Sequence, residues 1–149
     1  RAEVGTHPFE LIELGSAEAD QNGFHEWTRR VWFRCAAKVR DDVAFQTAAL
    51  AYISDHTGLA LRPGEGLYEE NAGDASLDHA LYLHRRPDVT QWHLYDLRCI
   101  SISSRRSTVQ GRIFAESGEL VATTSQELLV RPLGGPAPER TMTGLWTPE

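Results

Sequence analysis

The chain has 149 residues, room for one domain with its own core and too little for two ordinary ones. Hydrophobic residues make up 41% and charged residues 24%, the composition of a soluble globular domain, expected in the cytoplasm. Fifteen Lys+Arg against twenty-one Asp+Glu leave a net charge of −6. That argues against a general nucleic-acid binder, which needs excess positive charge to displace counterions from phosphates. No apolar run approaches the roughly 18 residues that span a bilayer, and no signal-peptide pattern is read at the start, so no membrane partner is expected. The first residue is Arg1, as expected of a processed product or a piece of something longer. Cys35 and Cys99 lie in apolar-alternating stretches without a Cys-x-x-Cys neighbour, and are expected to be free thiols in the interior.

In chain order, Phe9-Glu10-Leu11-Ile12-Glu13-Leu14 reads as a short strand, followed by a linker to residue 26. Trp27, Arg29, Val31, Phe33 and Cys35 then alternate with Trp32 and Arg34, the pattern of a strand partly covered on both faces. Asp41-Asp42 open a helix, because a carboxylate caps free N–H groups and suits the positive end of the dipole. Val43 to Ser54 is apolar nearly all round, which predicts a helix buried on every side. Gly58 is its expected stop. Pro63, Gly64, Gly66, Asn71 and Gly73 make residues 62–74 a loop.

The remainder reads as β-structure. One strand is expected over Ala75–His84, then a turn around Arg85-Arg86-Pro87-Asp88. A long strand follows over Trp92–Ser104, with Leu94, Ile100 and Ile102 on one face and Tyr95, Leu97 and Cys99 on the other. Thr108–Ala115 and Leu120–Val130 form a hairpin whose turn needs the positive φ of Gly118. Residues 132–149 are a Pro/Gly-rich tail that Leu145 and Trp146 could anchor. The reading is α+β: an antiparallel sheet wrapped around one long buried helix, with the domain proper at residues 27–131.

Asp55 stands at the end of an apolar helix, where both the dipole and burial disfavour a carboxylate. It is a candidate general base, or else a helix-terminal Asp bonding to loop N–H groups. In Ala75-Ser76-Leu77-Asp78-His79, alternation puts Ser76 and Asp78 on one face and Leu77 and His79 on the other. That separation, and the lack of a nucleophile elbow, argue against a Ser/His/Asp triad. Gln126, on the closing strand, carries an amide that could position a water or face an oxyanion. Arg85-Arg86 and Arg105-Arg106 are basic pairs at strand ends, suited to phosphate or simply solvated. The six histidines show no metal-ligand spacing, so no metal is expected. No phosphate-cradling glycine loop occurs either.

Ala51-Tyr52-Ile53-Ser54-Asp55, Ala75-Ser76-Leu77-Asp78-His79-Ala80-Leu81-Tyr82-Leu83-His84-Arg85 and Thr124-Ser125-Gln126-Glu127 together resemble the acyl-CoA thioesterase II family of the TesB type. Trp92-His93-Leu94-Tyr95 and Gly118-Glu119-Leu120-Val121-Ala122 fit as well. The resemblance implies a hotdog fold and hydrolysis of fatty acyl-CoA by an activated water. It makes Asp55, Ser76 and Gln126 the catalytic set and the four arginines contacts for the CoA phosphates, with no cofactor. Family members carry two hotdog halves, of which this chain matches the C-terminal one. Pairing with a second hotdog domain, or a homo-oligomer, is therefore expected. The alternative is a non-catalytic half that binds acyl-CoA or serves structure alone. A weaker one is another hotdog enzyme such as an enoyl-CoA hydratase, whose Asp/His pair is not clearly matched by Asp55-His56.

Overall fold

A computed structural model describes residues 8–16, 28–58, 75–104 and 106–129. The loop over 62–74, Arg105, Trp27 and the tail from 132 lie outside the described residues. The elements are β1 (Phe9–Ser16), β2 (Thr28–Cys35), α1 (Val43–Gly58), β3 (Ala75–Ser76), β4 (Ala80–Leu83), β5 (His93–Ser103), β6 (Arg106–Ala115) and β7 (Leu120–Leu129).

Local chemistry sets the ends of α1. Asp42 is its N-cap, with Oδ1 accepting the N–H groups of Ala44 at 2.9 Å and Phe45 at 3.3 Å. Gly58 is its last residue. All strands join one antiparallel sheet in the order β1-β2-β5-β6-β7-β3, with β4 also paired to β7. The strand read at residues 9–14 is the edge strand of that sheet, Phe9 lying opposite Cys35. Two turns need left-handed backbone: Gly118 (φ 88°) between β6 and β7, and Ser104 (φ 51°) between β5 and β6.

The core lies between α1 and the inner face of the sheet. Leu50 and Ile53 of the helix, with Phe33, Leu97 and Ile113 of the sheet, are completely buried. Each such side chain contributes about 1.5–3 kcal/mol relative to exposure. Phe33 is the aromatic centre, edge-on to Phe9 at 6.2 Å and stacked on His93 at 5.5 Å. Near the helix start, the buried Gln46 accepts the Val89 N–H at 2.9 Å and donates to the Arg40 carbonyl at 3.2 Å. This anchors the loop before β5.

Two expectations are corrected. The helix is not covered on every side: Val43, Phe45 and Tyr52 are half exposed, while Gln46, Leu50, Ile53 and Ser54 are buried. Apolar residues spread nearly all round a helix leave no periodicity to say which face the sheet will take, and this sheet takes one. The strand expected over Ala75–His84 is likewise two short strands. Ser76 lies opposite Leu128 but Ala80 lies opposite Ser125, so four steps on one side meet three on the other. The extra residue is a β-bulge. Asp78 stabilises it, Oδ1 accepting the Glu127 N–H at 2.7 Å, while the Leu77 N–H donates to the Glu127 carbonyl at 2.8 Å.

Candidate active site

The end of α1, the bulge and β7 meet at one place. Asp55 lies in the last turn of α1, half-buried. Ser76 Oγ donates to Asp55 Oδ1 at 3.1 Å. Gln126, buried on the inner face of β7, donates from Nε2 to Asp55 Oδ1 at 2.5 Å and to Ser76 Oγ at 2.8 Å. The three candidates singled out separately in the sequence therefore form a closed triangle of hydrogen bonds.

Proton accounting sharpens what the triangle can do. An ionised carboxylate only accepts, so the Gln126 amide must turn its nitrogen toward Asp55. Both Nε2 hydrogens are then used, one on Asp55 and one on Ser76. Gln126 has no N–H left for an oxyanion unless it breaks one of these bonds. Among the described residues neither Gln126 Oε1 nor Asp55 Oδ2 has a partner. The arrangement thus offers a carboxylate oriented through one oxygen and, among the described residues, open at the other. Ser76 is exposed, so this corner faces the surface.

The bulge explains a geometry that simple alternation cannot produce. Ser76 and Leu81 are five residues apart, yet they lie opposite the buried Leu128 and Thr124 of β7. The extra residue between them changes the face, so His79 turns inward as Ser76 does. His79 Nε2 lies 3.2 Å from Ser54 Oγ, whose own hydrogen goes to the Ala51 carbonyl at 3.0 Å. The imidazole is therefore the donor in that contact. Ser76 and His79 are not bonded to each other, so no Ser/His pair exists here.

A second layer lies behind the triangle, and the sequence reading missed it. Tyr95 Oη donates to the Ser54 carbonyl at 3.3 Å and lies 2.7 Å from Thr124 Oγ1, which must then be the donor in that bond. Ser54, Tyr95 and Thr124 are all buried. Burial, joined by the nearby Asp55 charge, pushes the Tyr95 phenol far above its ordinary range, although the Thr124 bond opposes this. The hydroxyl therefore keeps its proton at any working pH. Its only sequence signal is a tyrosine on the inward face of β5, where a phenylalanine would fill the same space.

Of the candidate arginines, the described Arg85, Arg86 and Arg106 are paired with carboxylates other than Asp55. Arg86 pairs with Asp41 beyond the start of α1, roughly 20 Å away by helical rise. Arg85 contacts Glu119 at 3.3 Å and the Leu120 carbonyl at 2.8 Å. Arg106 pairs with Glu127 at 2.8 Å, beside Gln126 in sequence. Arg105 lies outside the described residues. Among the described residues no group of three His, Cys, Asp or Glu is placed to hold a metal ion. No helix among them is long and apolar enough to cross a membrane.

A seven-stranded antiparallel sheet curled onto one helix, with a carboxylate in the helix's last turn, defines this chain as a hotdog domain of the thioesterase type. The profile of the family described as Acyl-CoA thioesterase C-terminal domain matches residues 5–130, and the chain belongs to that family. It is similar to Acyl-CoA thioesterase 2 of Haemophilus influenzae, 38% identical over 103 residues, which are 67% of this chain and 36% of that protein. It is 32% identical over 127 residues to Acyl-coenzyme A thioesterase 8 of Mus musculus, covering 83% of this chain and 39% of that one. The crystal structure of acyl-CoA thioesterase II TesB2 from Mycobacterium marinum superposes with a TM-score of 0.72 at 32% identity, covering 84% of this chain and 49% of the other. The chain spans less than half the length of these relatives.

Proposed function

We propose that the protein hydrolyses acyl-CoA thioesters, with Asp55 as general base toward a water molecule. The observation that carries this reading is a carboxylate whose Oδ1 is held by Ser76 and Gln126 and whose Oδ2 has no partner among the described residues. In this reading Oδ2 takes a proton from water as the oxygen attacks the thioester carbonyl carbon. The tetrahedral species collapses with cleavage of the C–S bond, CoA leaves as its thiolate, and the proton on Asp55 passes to that thiolate or to solvent. In this reading Ser76 and Gln126 orient the carboxylate, and Gln126 Oε1 accepts the second hydrogen of the water. The transition-state oxyanion is assigned to backbone N–H groups rather than to Gln126, whose amide hydrogens are engaged.

The arginines belong to the same proposal as contacts for the CoA phosphates. Exposed ion pairs such as those of Arg85, Arg86 and Arg106 are worth little, so a phosphate can displace the carboxylate partner. A second reading, an acyl-CoA-binding half that needs another hotdog domain before it turns over, draws on the exposed Val43, Phe45 and Tyr52 of α1.

The test is CoA release from acyl-CoA substrates of increasing chain length, followed chromatographically, for the parent and for Asp55→Ala. Turnover lost in a folded Asp55→Ala protein supports hydrolysis with Asp55 as base. Binding without turnover in the parent favours the second reading, and neither binding nor turnover removes both.

A further inference from the structure

Ser54 and Asp55 are neighbours on α1, and Thr124 and Gln126 are two apart on the same face of β7. The site bond runs from Asp55 to Gln126 at 2.5 Å. Directly behind it, Tyr95 Oη joins the Ser54 carbonyl at 3.3 Å to the Thr124 hydroxyl at 2.7 Å. Two links therefore connect the last turn of the helix to β7, one in the site and one in the interior. The interior link is buried throughout: Ser54 is 0%, Tyr95 1% and Thr124 6% exposed.

The ring reaches this position because β6 leaves a gap for it. A Cβ on Gly111 would sit 2.3 Å from Tyr95 Cε2 and 2.5 Å from Thr124 Oγ1. Any residue larger than glycine must displace one of the two groups that form the link. The hydrogen directions also close without conflict, Thr124 donating to Tyr95 and Tyr95 to the Ser54 carbonyl. Each hydroxyl spends its single proton once.

We infer that Tyr95 is a positioning residue for the reaction, its hydroxyl a buried strut that sets the separation between Asp55 and Gln126, with Gly111 the vacancy that admits its ring. The inference rests on the reading of Asp55 as the base and names what holds that base in place. A carboxylate moved by a fraction of an ångström loses its orientation toward both water and amide. Substrate binding has no such dependence, so the strut governs kcat rather than KM.

The test uses Tyr95→Phe, which keeps the ring in its slot, and Thr124→Val, which removes the same bond from the other side. Thr124→Ser keeps the hydroxyl and serves as the rescue. Val89→Ala, at the opposite end of the helix, is the control for lost stability. Two quantities are measured: steady-state kinetics on an acyl-CoA, and hydrogen exchange of the Gln126 side-chain amide by NMR. Tyr95→Phe and Thr124→Val are each expected to lower kcat about ten- to a hundredfold with KM within about twofold. Both speed exchange of the Gln126 amide, and the double variant is little worse than either single. Thr124→Ser and Val89→Ala leave both readouts near the parent's.

Wild-type kcat and wild-type amide exchange in Tyr95→Phe or Thr124→Val, with only the melting temperature lowered, overturn the strut. A matching kcat loss in Val89→Ala overturns it too. If the parent releases no CoA from any acyl-CoA, the catalytic reading fails by itself, and the amide exchange alone decides whether Tyr95 holds Gln126.

Discussion

The two ends of α1 each carry an aspartate, and the helix favours one of them and opposes the other. Asp42 stands where a helix welcomes negative charge, capping the N–H groups of Ala44 and Phe45. Asp55 stands in the last turn, where the macrodipole opposes it. Asp42 faces its own backbone, whereas Asp55 is held by side chains from two other elements, Ser76 and Gln126. A charge placed with the local preference holds the fold. One placed against it, and supplied with donors from elsewhere, is available for chemistry.

The contrast is broken most sharply by Asp55→Asn, which keeps the shape and removes the charge. Turnover should fall by about 10²–10⁴-fold, the range of a lost general base, with thermal stability unchanged or slightly raised. Activity and melting temperature from one preparation settle whether the two properties part. Gly111→Ala acts on the support of the same end. Forcing a methyl against Tyr95 and Thr124 should cost about 1–3 kcal/mol, read by chemical denaturation. Asp42→Ala sharpens the other half: it should cost about 1 kcal/mol of stability and leave kcat at its parental value.

The smallest effect concerns His93. Burial lowers its proton affinity, outweighing the Gln91 carbonyl and the Asp88 charge that raise it. The folded protein therefore resists protonating a side chain that the unfolded chain protonates at about 6.5. Its contribution is complete above that pH and is lost as the pH falls toward the lowered folded value. Denaturation midpoints at pH 7.5 and 5.5 should differ less in His93→Gln than in the parent.

Much of this was legible in the sequence where a single residue decides a local outcome. Asp42 and Gly58 bound the helix, Gly118 turns the last hairpin, and alternation places Tyr95 and Leu97 on one shared face, which the structure turns inward. Asp55, Ser76 and Gln126 could each be suspected one at a time, Asp55 for its position against the dipole. Their union came only from resemblance, because nothing local brings residues 55, 76 and 126 together. The bulge at residues 77–79 was hidden for the same reason. It exists in the register between β3, β4 and β7, and without it His79 is read onto the wrong face. The role of Tyr95 depends on the gap at Gly111 across the sheet, a pairing that no window along the chain contains. The uncovered face of α1 was missed because apolar residues spread nearly all round the helix give no sign of where its cover ends.

Asp55 and Gln126 are 71 positions apart, and β7 is the last of the described strands to leave the ribosome. During synthesis Asp55 and Ser76 emerge well before the amide that completes the triangle, and closing so long a loop carries an entropic cost that only a docked β7 offsets. The triangle therefore closes only when β7 docks, and until then Asp55 lacks the amide that holds its Oδ1.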